Sequence, residues 1–268
     1  MSNPGHTRIP VSAMRGTMGR MSIPDYMIEF HRNAARQAPG SDDSTRRALS
    51  LVPGVDMVRR VLDLGCGTGA QSLVLAQETG ATITAVDILP EFLEELEARA
   101  RAAGVADRIA TLEASMIDLD LPPEHYDLLW SEGSAYTVGF EAGLRYWKRF
   151  LAPGGALVVS ELCWLTDDRP PEIEEYWAEG YPGIGTVEEK LAEAARAGYT
   201  CIEHFVLPPE AWTDGYYTPI RERSEAFSEA HGRDPEIDAF LDSGLDEAAM
   251  YDRFGEYYSY VFFVLRAG

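Results

Sequence analysis

Short apolar runs alternate with longer amphipathic ones through the middle of the chain. Arg60–Leu64 and residues 82–86, 109–112, 126–130 and 156–159 are brief, mostly apolar and bounded by Gly, Pro or Asp, as strands buried on both faces of a sheet would be. Between them the period lengthens to that of a helix over Ala70–Glu78, 90–103 and about 141–151. In the second of these, Phe92, Leu96, Ala100 and Ala103 share one face, while Glu95 with Arg99 and Glu97 with Arg101 pair across one turn on the others. Strands separated by helices predict parallel βαβ units with helices on both faces. Two further strand-like runs, 201–207 and 257–265, complete a doubly wound α/β sheet that is Rossmann-like, mostly parallel and seven-stranded.

Ahead of the first strand, the helical pattern from Pro24 to Ala48 is broken at Pro39-Gly40, and Ser41 supplies an N-cap for a second short helix. Residues 1–22 carry Arg8, Arg15 and Arg20 without an acid and read as a loose arm, leaving 23–268 as the folded domain. Within it, about 55–161 forms the ligand-binding core, and 162–200 with 209–255 forms a cover of amphipathic helices. The run 257–265 is expected at a sheet edge, which leaves homodimerisation open.

Charge sharpens this division. The chain holds 44 Asp and Glu against 23 Lys and Arg, a net charge of −21, and residues 161–256 alone hold 24 acids and 7 bases. A phosphate backbone is bound by surplus cations, so nucleic acid is disfavoured as a partner. The acidity keeps the surface solvated and would also steer a cationic substrate. No apolar run reaches the roughly 20 residues of a membrane span, and the N-terminus lacks the order of a signal peptide, so a soluble cytoplasmic protein without a membrane partner is expected. Cys66, Cys163 and Cys201 are too few and too scattered for a disulfide framework or a zinc site, and no metal is expected.

The chemistry centres on Val61-Leu62-Asp63-Leu64-Gly65-Cys66-Gly67-Thr68-Gly69, a strand that ends in an acid and turns through three glycines into a helix. Glycines let the backbone turn tightly and approach a ligand with no Cβ between. The spacing is not the G-x-G-x-x-G of dinucleotide folds, and an acid at that strand end suits a sulfonium or ammonium while repelling a pyrophosphate. The next strand ends at Asp87, where a carboxylate can accept hydrogen bonds from both ribose hydroxyls.

These residues, Val61 to Gly69 followed by Val86-Asp87, resemble the first two motifs of class I methyltransferases, over residues 60–161. A narrower likeness, to bacterial small-molecule methyltransferase-like proteins, rests on residues 39–49, 127–136, 197–199 and 211–217. The resemblance implies S-adenosyl-L-methionine as cofactor, held by Asp63, Gly65, Cys66, Gly67, Gln71, Asp87 and Ile88. It further implies Ser115 and Met116 beside the adenine, and Ser131, Glu132 and Gly133 beside the methionine part. Pro39, Gly40 and Ser41 are expected to close over the cofactor with Tyr26 or His31 nearby, although His31 reads first as a solvated surface residue.

The implied reaction is methyl transfer to a small-molecule nucleophile. It needs alignment and exclusion of water, and a general base where the nucleophile arrives protonated. Glu132, Glu161, Tyr136 and His204 are the candidates for that base. Tyr136, Trp164, Trp177, Tyr181 and Tyr216, with Trp212 and Tyr217, could form a substrate cage with cation–π character, suited to a cationic amine. Nitrogen or oxygen acceptors are favoured. The alternatives are a non-catalytic sensor of the cofactor or its demethylated product, and an RNA or protein methyltransferase, of which acidity disfavours the RNA form.

Overall fold

A computed structural model describes residues 24–268, and the expected N-terminal arm lies outside the described residues. Helices α1 (Asp25–Arg32) and α2 (Asp42–Ser50) come first, and the Ser41 hydroxyl caps α2 by accepting from the Ser44 amide at 3.1 Å. Then β1 (Arg60–Leu64), α3 (Ala70–Glu78), β2 (Thr82–Asp87), α4 (Pro90–Ala102), β3 (Ile109–Glu113), β4 (Tyr126–Ser131), α5 (Phe140–Trp147) and β5 (Leu151–Trp164) alternate. The second half adds α6 (Pro171–Gly180), β6 (Gly185–Thr186), α7 (Val187–Arg196), β7 (Tyr199–Val206), α8 (Pro209–Trp212), a π-helical turn (Thr213–Tyr217), α9 (Thr218–Ala230), α10 (Pro235–Phe254) and β8 (Tyr258–Ala267).

The strands form one sheet in the order β3-β2-β1-β4-β5-β8-β7, with the two-residue β6 pairing beside β5 as an eighth member. Strands β3 to β5 run parallel, and β8 runs antiparallel to both of its neighbours. From β1 the chain winds outward through β2 and β3, then crosses back to β4 on the other side. That reversal opens a crevice at the carboxyl ends of β1 and β4, where open α/β sheets keep their ligands.

Side chains segregate by the two-residue period of the strands. Val61, Leu128, Trp130, Val158, Leu162 and Phe262 pack on one face with α1, α2 and the C-terminal helices. Leu62, Leu129, Leu157, Val159, Phe263 and Leu265 pack on the other with Trp147 and Phe150. Both faces are covered, as continuous apolar strands require.

Two expectations change here. The last strand lies inside the sheet, between β5 and β7, because its run from Tyr258 to Leu265 is buried on both faces; β7 is the edge. The cover expected over 162–200 divides: Leu162, Cys163 and Trp164 continue β5, and α7 packs against α5 on the far face of the sheet. What remains as cover is α6 with the segment from α8 to α10. No helix among the described residues is long and apolar enough to cross a membrane.

Candidate active site

The glycine turn sits at the carboxyl end of β1, with the amides of Gly65 and Cys66 both donating to the Val86 carbonyl of β2 at 2.9 Å. Gly65, Gly67 and Gly69 take positive φ values of 73°, 55° and 86°. A Cβ on Gly69 would lie 2.0 Å from Leu96 in the core, whereas one on Gly67 would lie 2.5 Å from Gln37 Oε1, the end of a side chain reaching over the turn. Gly69 thus serves helix–strand packing and Gly67 the open face of the turn.

Two carboxylates flank it. Asp63 is fully buried and accepts from Ser72 Oγ at 2.5 Å and Gln71 Nε2 at 3.2 Å, so it faces the first turn of α3. Burial pushes its carboxyl up from an ordinary 3.8 to about 7, against those two hydrogen bonds, with Glu132 and Asp87 adding repulsion. Asp87 accepts from the amides of Gly67 at 2.8 Å and Leu89 at 3.0 Å. Burial raises its carboxyl as well, with those amides opposing. Ile88 is 63% exposed and Ile117 49%, leaving an apolar rim outside Asp87, with half-buried Ser115 and Met116 close by. Cys66 is buried, its thiol pushed up by desolvation and by Asp63 and Asp87.

The carboxyl end of β4 is tied to that of β1 by Ser134, whose hydroxyl donates to the Leu64 carbonyl at 2.8 Å and pairs with Ser131 Oγ at 2.9 Å. Glu132 is buried and fully engaged: Arg36 at 2.8 Å and Thr45 at 3.0 Å hold its oxygens, and Trp130 Nε1 donates at 3.2 Å. Its place is an anchor for the segment before α2, and the geometry leaves no oxygen for the base role expected of it. That segment spans the site. Gln37 bridges to Thr68 through Nε2–Oγ1 at 2.9 Å and N–Oε1 at 3.0 Å, and Ala38 abuts Gly133. The Gly40 amide reaches the Ala211 carbonyl of α8 at 3.2 Å.

Behind this segment lies a partly open cavity of about 50 Å³. Its ring-bearing wall is Tyr136, Trp177, Tyr181, Trp212, Tyr216 and Tyr260; Gln37, Ala38 and Pro39 close one side, and Glu247 of α10 supplies an acid. Tyr136 stands edge-on to Tyr181 at 5.9 Å, and burial raises its hydroxyl well above the usual tyrosine range. The π-helical turn brings Tyr216 to the wall while Tyr217 donates to Glu247 at 3.0 Å. Trp164 is elsewhere, beneath the Arg169 guanidinium at 4.7 Å and against Tyr258.

Glu161 lies within β5, fully buried, with one oxygen accepting from Tyr181 and the other without a partner. Desolvation lifts its carboxyl to about 7, against the nearby Lys190 ammonium and the Tyr181 bond. Lys190, 2% exposed, donates to the Gly183 carbonyl at 2.7 Å and to Glu193. His204 is exposed on the edge strand, stacked on Phe263, and does not reach the cavity. His31 is half-buried between the rings of Phe30 and Phe240, and burial holds it down at about 4, so it is not the solvated histidine expected. Tyr26 bonds Glu236 on α10, away from the glycine turn. Gln37, Ser134, Lys190 and Glu247 had no local sequence signal; each reaches the site through tertiary packing.

A sheet of this order, with a glycine turn and an acid after β2 at its switch point, is the fold of the class I methyltransferases. Residues 61–155 match the family model described as a methyltransferase domain. A solved methyltransferase from Geobacter sulfurreducens, in complex with S-adenosyl-L-homocysteine, superposes with a TM-score of 0.75 at 23% identity, covering 92% of this chain and 99% of that one. Methyltransferase GfsG of Streptomyces halstedii is 31% identical over 38% of this chain and 37% of its own length. The 27-O-demethylrifamycin SV methyltransferase of Amycolatopsis mediterranei is 27% identical over 70% of this chain and 71% of its own. The match thus spans less than half the length of the first of these curated relatives.

Proposed function

We propose that the chain transfers the methyl group of S-adenosyl-L-methionine to a nitrogen or oxygen of a small molecule. The observation that carries this reading is one arrangement: a glycine turn between buried Asp63 and half-buried Asp87, sharing the Gln37–Pro39 wall with an aromatic cavity.

The residues fit the cofactor. Gly67 carries no side chain of its own on the face where Gln37 lies, Asp87 stands where ribose hydroxyls would donate, and Ile88 and Ile117 offer apolar surface for a base. Ser115 and Met116 would complete that side, while Gly65 would approach the methionine part, with buried Cys66, Gln71 and Ser131 supporting the turn from beneath. When ionised, Asp63 places a negative charge beneath the turn, which favours a sulfonium over a phosphate. When bound, the cofactor supplies an electrophilic methyl whose bond to sulfur breaks with its electron pair left on sulfur. The chain's own part is to align the acceptor and limit water, which the aromatic cavity under α6 and α8–α10 is placed to do. The relative named for 27-O-demethylrifamycin SV supports a small-molecule acceptor.

Calorimetry with S-adenosylhomocysteine, followed by labelled-methyl transfer to a panel of amines, phenols, carboxylates and thiols, tests the reading. Micromolar binding and a labelled small-molecule product are expected. Failure to bind would refute it, and binding without turnover across the panel would favour a sensor.

A further inference from the structure

The aromatic cavity contains a carboxyl group without a cationic partner. Glu247 is the one acid among its lining residues, no lysine or arginine lines it, and no ion pair among the described residues reaches this carboxylate. Tyr217 donates to one of its oxygens at 3.0 Å, which orients the group without neutralising it. A carboxylate packed among rings is costly unless a proton or a cation joins it, and a cationic guest would keep it ionised. The faces of Tyr136, Trp177, Tyr181 and Tyr216 carry the negative side of an aromatic quadrupole and would attract the same guest. A cavity of about 50 Å³ is enough for a small head group, since roughly 10 to 15 Å³ of such space holds one water.

We infer that Glu247 and these rings form an ammonium subsite, so that the acceptor is a small primary or secondary amine held by its cationic nitrogen. The inference rests on the proposed methyl transfer and names its substrate class. An ammonium has no free lone pair, so one N–H bond must first break, its proton passing to the Glu247 carboxylate. The freed pair then forms the new N–C bond as the methyl's bond to sulfur breaks, with that bond's electron pair staying on sulfur. The proton on Glu247 goes to water when the N-methyl product departs. Burial, opposed by the Tyr217 bond, raises the Glu247 carboxyl above its ordinary range, which favours proton acceptance.

The test compares propylammonium with propan-1-ol, nearly equal in shape and different in charge, by saturation-transfer NMR on the full chain with and without S-adenosylhomocysteine. The wild type should bind the amine at least about tenfold more tightly than the alcohol. Glu247→Gln should abolish that preference while leaving S-adenosylhomocysteine affinity within about twofold, and Glu247→Asp, which keeps the charge, should retain it. Equal binding of amine and alcohol by the wild type, or an undiminished preference in Glu247→Gln, overturns the assignment. An amine preference without S-adenosylhomocysteine binding would leave the subsite standing and refute the methyl-transfer reading instead.

Discussion

Replacing Asp63 by Asn should stabilise the fold at neutral pH while weakening its cofactor site. The carboxyl is fully buried and titrates near 7 in the folded chain against an ordinary 3.8, so the folded state binds the proton more tightly than the unfolded state. Linkage then fixes the sign: between pH 4 and 7 the folded chain holds more protons, and this contribution to stability falls as pH rises through that window. Above pH 7 the gap of about three units corresponds to about 4 kcal/mol. An amide cannot satisfy the donors of Ser72 and Gln71 as a carboxylate does, which removes about 1 to 2 kcal/mol of the gain. The remaining 2 to 3 kcal/mol or so amounts to a rise in Tm of about 4 to 10 °C at pH 8. At pH 5 the charge costs only about 1.6 kcal/mol, and the lost contacts cancel it. Thermal melts followed by circular dichroism at pH 5, 7 and 8 measure this directly. Parallel pH profiles for the two proteins, or a variant less stable at pH 8, would refute the reasoning. Calorimetry should show S-adenosylmethionine binding at least about tenfold weaker in the variant, since the charge under the turn is lost.

Further substitutions separate the site from the scaffold. Asp87→Ala should weaken S-adenosylmethionine binding by about 1 to 3 kcal/mol in calorimetry, and unchanged affinity would remove Asp87 from the ribose site. Gly67→Val should abolish cofactor binding and also lower the melting temperature, because a β-branched residue is strained at a φ of 55° and its Cβ would push Gln37 off Thr68. Gly69→Val, driven into Leu96, should fold poorly in the same melts. Arg36→Ala should cost about 3 to 5 kcal/mol in urea titrations by leaving Glu132 charged, buried and short of its main partner; a loss under 1 kcal/mol would show the pair to be solvated.

What could be read from the sequence was what is fixed locally. The glycines of the turn, the acids ending β1 and β2, and the helix starting at Ala70 are dictated by neighbours a few residues away, and the structure has them at those positions. The reach of β5 was hidden, because its continuation to Trp164 depends on nine residues of β8 about a hundred positions later. The same distance hid the interior place of β8, although its unbroken apolar run was the available clue. Trp164 and Trp177 look alike in sequence, and only packing sends one to Arg169 and the other to the cavity. Glu247 lay unmarked among the many acids of α10 for the same reason.

The strap of residues from Arg36 to Gly40 faces the two proposed ligand sites at once: Gln37 leans on the glycine turn, while Gln37, Ala38 and Pro39 also wall the aromatic cavity. A guest that shifts this strap on one side alters the binding surface on the other. Thermodynamic reciprocity then makes the effect mutual: the factor by which cofactor changes acceptor affinity equals the factor by which acceptor changes cofactor affinity. One short stretch of backbone thus makes the two halves of the reaction a single coupled equilibrium.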